Sequence, residues 1–107
     1  MKGNKVLSLL GLAQKAGRVV SGEFSTETAV KAGKACLVLV SREASENTRK
    51  KFRNMCGYYG VPMEIYGDKE ELGGCIGQEY RASLAVTDPG FSEAIRKQLL
   101  NVDERRS

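Results

Sequence analysis

The chain has 107 residues, 41% of them hydrophobic and 28% charged, with 17 Lys and Arg against 13 Asp and Glu. Such a length and composition are typical of one globular domain that can bury a core. The sequence contains no histidine, which excludes His-based acid–base catalysis, His-paired nucleophiles and His-ligated metal sites. No apolar run approaches the roughly 20 residues of a membrane-spanning helix. We expect a single domain at 1–101, a frayed tail at 102–107, and no catalytic residue, metal site or cofactor.

The cysteines give an indication of the cellular compartment. Cys36, Cys56 and Cys75 are odd in number and far apart, which fits neither a disulfide framework nor a zinc-binding pattern. We interpret them as free thiols, with Cys36 and Cys56 as small core residues. Free thiols persist in reducing compartments, so the expected localisation is cytoplasmic.

The first part of the chain predicts two helices and two strands. Apolar residues are so dense at 4–16 that the first helix should be buried on more than one side. A short strand at 19–21 is followed by a helix at 23–32, which Gly33 ends. The unbroken apolar run at 36–40 is typical of a strand that is covered on both faces.

The second part continues the alternation of helices and strands. Ser45 is a suitable N-cap for an amphipathic helix, and 61–66 is strand-like with a proline that favours a sheet edge. Asp68 is a suitable cap for a short helix, and the apolar run at 82–87 predicts a buried strand. Pro89 suits the first position of the last helix. The sequence therefore predicts an α/β domain with helices on both sides of a sheet of about four strands.

Charge is distributed unevenly along the chain. Residues 1–56 carry 11 basic and 4 acidic side chains, whereas 57–107 carry 6 and 9. A basic face most often binds a polyanion such as RNA. The alternative is that the basic residues at 49–53 are only the solvated side of a helix.

The loop at 76–81 combines an apolar residue, an aromatic ring and a guanidinium group. Tyr80 and Arg81 are residue types that hold unstacked RNA bases through stacking and cation–π contacts. The alternative is that the ring of Tyr80 packs against the edge of the sheet.

Five segments in this order resemble the ribosomal-protein family "L seven Ae" and "L thirty e", whose members bind kink-turn RNA. The matching segments are 21–22, 32–40, 58–62, 72–77 and 80–90. The resemblance covers about residues 6–99. It implies a three-layer α/β/α sandwich with a mixed four-stranded sheet, in agreement with the independent reading above.

The resemblance also implies an RNA site made of two parts. One part is the turn and helix start after the first strand, and the other is the loop before the last strand, with an adjacent turn beside them. Carried over by position, the candidate RNA-binding residues are Gly22, Glu23, Phe24, Ser25, Thr28, Lys31, Lys34, Arg42, Glu43, Ile76, Gly77, Gln78, Tyr80 and Arg81.

Three of these positions depart from the family pattern, which has Asn or Lys, then Glu or Gln, then Lys. The chain has Phe24, Ser25 and Thr28 instead. They lack the amide, carboxylate and ammonium groups that would read base edges or bind phosphate. Sequence-selective reading should therefore be weakened, whereas backbone and shape recognition should survive. We interpret Phe24 as a core residue in preference to a replacement stacking surface.

The leading functional hypothesis is a non-catalytic protein that binds structured, kink-turn-like RNA in association with the ribosome. Ribosomal proteins are further candidate partners, and neither a membrane nor DNA is expected. The alternative is a protein-interaction adaptor with an exposed apolar patch around Phe24, Ile76 and Tyr80. A third hypothesis is the substrate-recognition part of an RNA-modifying enzyme, with the chemistry supplied by a partner.

Overall fold

The structure is a computed structural model that describes the backbone of residues 4–106 and the side chains of residues 4–100. Its elements in chain order are α1 (Lys5–Lys15), β1 (Val19–Ser21), α2 (Glu23–Lys31), β2 (Leu37–Val40), α3 (Glu46–Tyr59), β3 (Met63–Ile65), α4 (Lys69–Gly74), β4 (Ser83–Val86) and α5 (Pro89–Arg106). Every predicted helix and strand is present. The last helix, α5, extends to Arg106, and Ser107 lies outside the described residues. The domain boundary at 101 and the fraying of the tail at 102–107 remain predictions.

Polar side chains begin the helices where the sequence predicts them. The side chains of Asn4, Ser45 and Asp68 accept hydrogen bonds from the amides of Leu7, Thr48 and Glu71, respectively. Asp68 and Glu71 form a reciprocal capping box. The carboxylate of Asp88 likewise accepts from the amide of Phe91 at 2.9 Å. Each bond satisfies a backbone donor that a helix start leaves without a partner.

The four strands form a mixed sheet in the order β1-β4-β2-β3. The pairs β1–β4 and β4–β2 are antiparallel, and β2–β3 is parallel. Pro62 comes directly before β3, which is an edge strand, as the missing proline donor requires. Helices cover both faces, so the predicted three-layer α/β/α architecture is confirmed.

A separate core lies on each face of the sheet. The side chains of Leu37 and Leu39 point into the core beneath α1, α4 and α5. Those of Val38 and Val40 point into the core beneath α2 and α3, which is built around Phe52. Both sides of β2 and β4 are therefore buried, which explains why these strands show no alternation of apolar and polar residues.

The expectation for α1 is wrong. Val6, Leu10 and Ala13 are buried along one stripe, but Leu12 is 54% exposed. The reason is that α1 packs against α5 and β1, so the opposite side of the helix faces solvent. A high density of apolar residues in α1 was therefore not a reliable sign that several sides of the helix are buried.

All three cysteines are free thiols, as predicted. Cys56 is buried, whereas Cys36 is only partly buried and is not a full core residue. Burial raises the pKa of the Cys56 thiol, and it raises that of Cys75 to about 11. Both side chains are therefore held in the thiol form at neutral pH, which is less nucleophilic than the thiolate.

Candidate nucleic-acid interface

One edge of the sheet brings together the two predicted parts of the site. We call it the Gly22 edge and define it as residues 21–25, 41–45, 67–69 and 78–82. The amide of Gly22 donates to the carbonyl of Ser83 at 2.9 Å, and the amide of Ser41 donates to that of Ala82 at 2.8 Å. The start of α2 and the turn after β2 therefore flank the loop before β4.

Arg81 ties the loop to the end of β1. Its Nε donates to Ser21 Oγ at 2.9 Å, one terminal nitrogen donates to the Tyr80 carbonyl at 2.8 Å, and the other donates to Gln78 Oε1 at 3.0 Å. The guanidinium is thus a positioning group within the loop. The ring of Tyr80 is 61% exposed, so it does not pack against the sheet edge and remains available for stacking.

Gly73 supports the same loop from beneath. The amide of Gln78 donates to the Gly73 carbonyl at 2.8 Å. A Cβ atom at Gly73 would lie 2.7 Å from the Glu79 carbonyl oxygen and 2.8 Å from the Tyr80 nitrogen, which only a glycine avoids. The backbone before Tyr80 therefore rests directly on α4.

Ile76 was predicted to contact RNA, but the structure places its side chain in the core. It is 5% exposed and belongs to the core beneath α1, α4 and α5, so its side chain anchors the loop and is not presented to a ligand. The next residue, Gly77, has a φ of +79°, a conformation that glycine adopts without strain and that turns the chain outward.

The start of α2 offers unpaired amides. Gly22 has a φ of +91° and provides no side-chain cap, so the first N–H groups of the helix have no intrahelical or capping partner. Such a helix start attracts anions. Ser25 and Thr28 are exposed on the same helix, and the Thr28 hydroxyl donates back to the Phe24 carbonyl at 2.9 Å.

The interpretation of Phe24 as a core residue is wrong. Its side chain is 81% exposed, because Phe24 lies on the side of α2 opposite to the buried residues of that helix. Between α2 and β1 lies a concavity of about 270 Å³ with an apolar floor that includes Val20, Ala29 and Ala32. Phe24 borders this concavity together with Lys34, and Lys34 makes no ion pair with any other described residue.

Three of the four acidic side chains at the edge, those of Glu23, Glu43 and Asp68, are engaged with protein donors, whereas Glu79 is exposed and makes no such contact with another described residue. Glu43 Oε1 accepts from the amide of Lys69 at 2.9 Å, and the carbonyl of Lys69 accepts from the amide of Arg81 at 3.0 Å. Arg42 lies 3.9 Å from Glu71. The Gly22 edge therefore carries both acidic and basic groups, and the Glu43 side chain links the segment at 41–45 to the segment at 67–69.

Lys31 does not join the rest of the predicted site. Its Nζ is 2.8 Å from Glu27, and Lys51 of α3 bonds both Glu27 at 2.8 Å and Glu23 at 2.9 Å. The hydrogen bonds from Lys31 and Lys51 lower the pKa of Glu27 to about 2. This network joins α2 to α3 and occupies both Glu23 and Lys31.

Comparison with known proteins identifies the family. A profile of the ribosomal protein L7Ae/L30e/S12e/Gadd45 family matches residues 4–96. The chain belongs to this family. It is 42% identical over 95 residues to a Bacillus subtilis relative named "RNA-binding protein YlxQ", covering 89% of this chain and 95% of the relative. It is 34% identical over 89 residues to "Large ribosomal subunit protein eL30" of Pyrobaculum neutrophilum, covering 81% and 88%.

Solved structures match the family fold. A Bacillus halodurans protein of unknown function superposes with a TM-score of 0.87 at 38% identity, covering 90% of this chain and 97% of that one. The "15.5kD RNA binding protein" of Giardia lamblia superposes with a TM-score of 0.78 at 17% identity, covering 97% and 92%. The second likeness concerns the fold alone.

Sequence reasoning missed three supporting residues of this family member. Ser21, Lys69 and Gly73 hold the loop through the contacts described above. The adjacent glycines at 73 and 74 gave a signal, because a glycine inside a helix indicates a close backbone approach. The roles of Ser21 and Lys69 depend on tertiary contacts and had no local signal.

Among the residues that the structure describes, no group of three or more metal-ligating side chains is suited to hold a metal ion. None of the described helices has the length and apolarity that crossing a bilayer demands.

Proposed function

We propose that this protein binds structured RNA at the Gly22 edge without catalysing a reaction. The observation that carries the proposal is the Arg81 guanidinium, which holds the Tyr80 loop beside the start of α2 through Ser21 and Gln78. Relatives named as RNA-binding and ribosomal proteins support the same function.

The Gly22 edge and the concavity beside α2 together supply each type of contact that RNA binding needs. The α2 amides suit a phosphate group, and Lys34, in the loop that follows α2, adds a cation beside the concavity that Phe24 borders. The exposed rings of Tyr80 and Phe24 suit unstacked bases. The hydroxyls of Ser25 and Thr28 suit ribose or phosphate oxygens, which carry no sequence information.

The finer proposal is kink-turn-like RNA, bound in the cytoplasm in association with the ribosome. Kinked RNA presents splayed bases and closely spaced backbones, which fit one exposed ring in the first turn of α2 and another in the neighbouring loop. The eL30 relatives are large ribosomal subunit proteins by name. Because Phe24 and Ser25 lack base-edge groups, we expect selection by shape to dominate over selection by sequence.

The adaptor alternative loses one of its features. It required an apolar patch around Phe24, Ile76 and Tyr80, but Ile76 is 5% exposed. The remaining two rings are separate exposed aromatics next to unpaired amides. This arrangement favours an RNA ligand over an apolar protein surface.

The test is titration of the purified protein against a kink-turn RNA and an unkinked duplex of equal length at two salt concentrations. We expect tighter binding of the kinked RNA and affinity that falls with salt, because counterions are released. Tyr80→Ala and Phe24→Ala should each weaken binding about 5- to 150-fold, the value of one stacked base.

Leu100→Ala is the matched control for these variants. Leu100 is 62% exposed on α5, in the helical layer on the other face of the sheet, and should not affect RNA affinity. Equal binding of both RNAs would exclude kink-turn recognition while leaving general RNA binding intact. Absence of binding to either RNA would refute the proposed function.

A further inference from the structure

The outer side of α3 is a basic surface that the Gly22 edge does not include. Lys50, Arg53 and Gly57 fall at i, i+3 and i+7, so they share one side of the helix, and Asn54 and Tyr58 flank them. We call these five exposed residues the α3 face. Neither Lys50 nor Arg53 forms an ion pair with another described residue. Glu46, in the first turn, is the one acidic residue of α3.

An aromatic ring stands at the end of this face. Tyr58 is 83% exposed, and Tyr59 is 44% exposed. Their ring centroids are 4.9 Å apart at an interplanar angle of 81°, so Tyr59 supports Tyr58 edge-on and leaves a flat face open. An exposed ring beside cations is the arrangement with which proteins stack nucleic-acid bases.

Gly57 leaves the backbone bare beside this ring. A glycine inside a helix is destabilising relative to alanine, and close packing often explains its presence. Here a Cβ atom would meet nothing within 4 Å, so no contact within the described structure requires the glycine. Its absence of a side chain leaves space for a planar group to lie against the helix next to Tyr58.

From these features we infer that the α3 face binds a short single-stranded extension of the RNA held at the Gly22 edge. Glu46 lies one turn before Lys50 on the same side of α3 but forms no ion pair with it, so two cations without an ion pair to another described residue face solvent. Such cations are complementary to a phosphate backbone, and an exposed ring accepts any base. The inference rests on the proposed function, since it assigns a second contact surface for the same ligand.

The two surfaces are continuous. Lys51 lies next to the α3 face and bonds Glu23, in the first turn of α2, at 2.9 Å. From Lys50 to Tyr58 the helix rises about 12 Å at 1.5 Å per residue. At roughly 3.4 Å per stacked nucleotide, that distance corresponds to an extension of about four nucleotides.

The test compares kinked RNA alone with the same RNA carrying four adenosines at its 5′ or its 3′ end. We expect one of the two extensions to strengthen wild-type binding about 5- to 150-fold. Tyr58→Ala should abolish that gain without changing affinity for the unextended RNA, and Tyr58→Phe should keep it. Arg53→Gln should make the plot of log binding constant against log salt concentration shallower by about 0.7 for the extended RNA, because one phosphate contact on a single strand is lost.

The controls separate this inference from the proposed function. Leu12→Ala removes a side chain that is 54% exposed on α1, in the opposite helical layer, and should leave the affinities for all three RNAs unchanged. Equal wild-type affinity for all three RNAs would overturn the inference and leave the proposed function standing. Equal weakening of all three by Tyr58→Ala would also overturn it. If none of the RNAs binds, the proposed function and the inference fall together.

Discussion

Gly73 is the residue on which the position of the Tyr80 loop depends. We expect Gly73→Ala to destabilise the protein by about 1–3 kcal/mol, because the new methyl group would overlap the loop backbone. The overlap involves Glu79 and Tyr80 main-chain atoms at 2.7–2.8 Å, which cannot rotate away as a flexible side chain could. Urea unfolding measures the loss of stability. Displacement of the loop should also weaken RNA binding.

Gly74→Ala is the control for this prediction. The two glycines are adjacent at the end of α4, but a Cβ at Gly74 would meet nothing within 4 Å. Alanine there should be neutral or stabilising by up to about 1 kcal/mol, because it restricts the unfolded chain. Similar stabilities for the two variants would show that the loop does not rest on Gly73.

At the scale of elements, α2 and α3 are joined by charge as well as by their shared core. Glu27 accepts from Lys31 on its own helix and from Lys51 on α3, each at 2.8 Å. Because Lys51 also bonds Glu23, the network fixes the first turn of α2 relative to α3. The position of Phe24 therefore depends on an interaction outside the Gly22 edge.

We expect this network to make stability depend on acid pH. Hydrogen bonds from Lys31 and Lys51 lower the pKa of Glu27 from 4.5 to about 2 in the folded protein. The stabilisation is complete above about pH 4.5 and is lost as the pH falls towards 2, because the unfolded state then binds the proton more readily. Glu27→Gln should lower the free energy of unfolding at pH 7 and have a smaller effect at pH 2, as measured by urea denaturation across that range.

Glu93→Gln tests whether any surface pair would behave in the same way. Glu93 and Lys97 on α5 are 3.8 Å apart, and both side chains are 72% exposed, so their interaction should contribute little. If the two variants have the same pH profile, the α2–α3 network has no special role in acid stability.

The predictability of these elements differs for physical reasons. Helix starts such as Ser45 and Asp68 were predictable, because a cap is a local hydrogen bond between residues close in sequence. The exposed side of α1 was not predictable, because it depends on which neighbours the helix meets. The burial of Phe24 was wrongly predicted for the same reason: an aromatic residue is usually buried, and only the tertiary structure shows which side of α2 is covered.

For the whole molecule, the sequence predicted the architecture and the pairing of two distant segments better than the charge of the site. The alternating pattern and the family resemblance placed Gly22 and Tyr80 near each other. The pattern and the resemblance could not show that Glu23 and Glu43 are engaged at the edge while Lys50 and Arg53 on α3 form no ion pair with another described residue. The net charge counted along a sequence does not give the charge of any one surface region, because folding decides which charged side chains lie together and which form ion pairs.

The last prediction concerns the stability of the whole fold when ligand binds. Because RNA that contacts both the α2 start and the Tyr80 loop can bind only the folded chain, it should raise the unfolding free energy by about 2.7 kcal/mol at 100 times its Kd. For a chain of this size each kcal/mol raises Tm by about 4–8 °C. Thermal unfolding with kink-turn RNA should therefore show a large rise in Tm that diminishes with added salt, since phosphate contacts weaken.

The unkinked duplex at the same concentration should give a smaller rise in Tm. Arg81→Ala should reduce the effect of the kinked RNA, because it releases the loop from Ser21. An unchanged Tm with saturating RNA, or a rise that salt does not alter, would contradict binding through the backbone and favour an adaptor role.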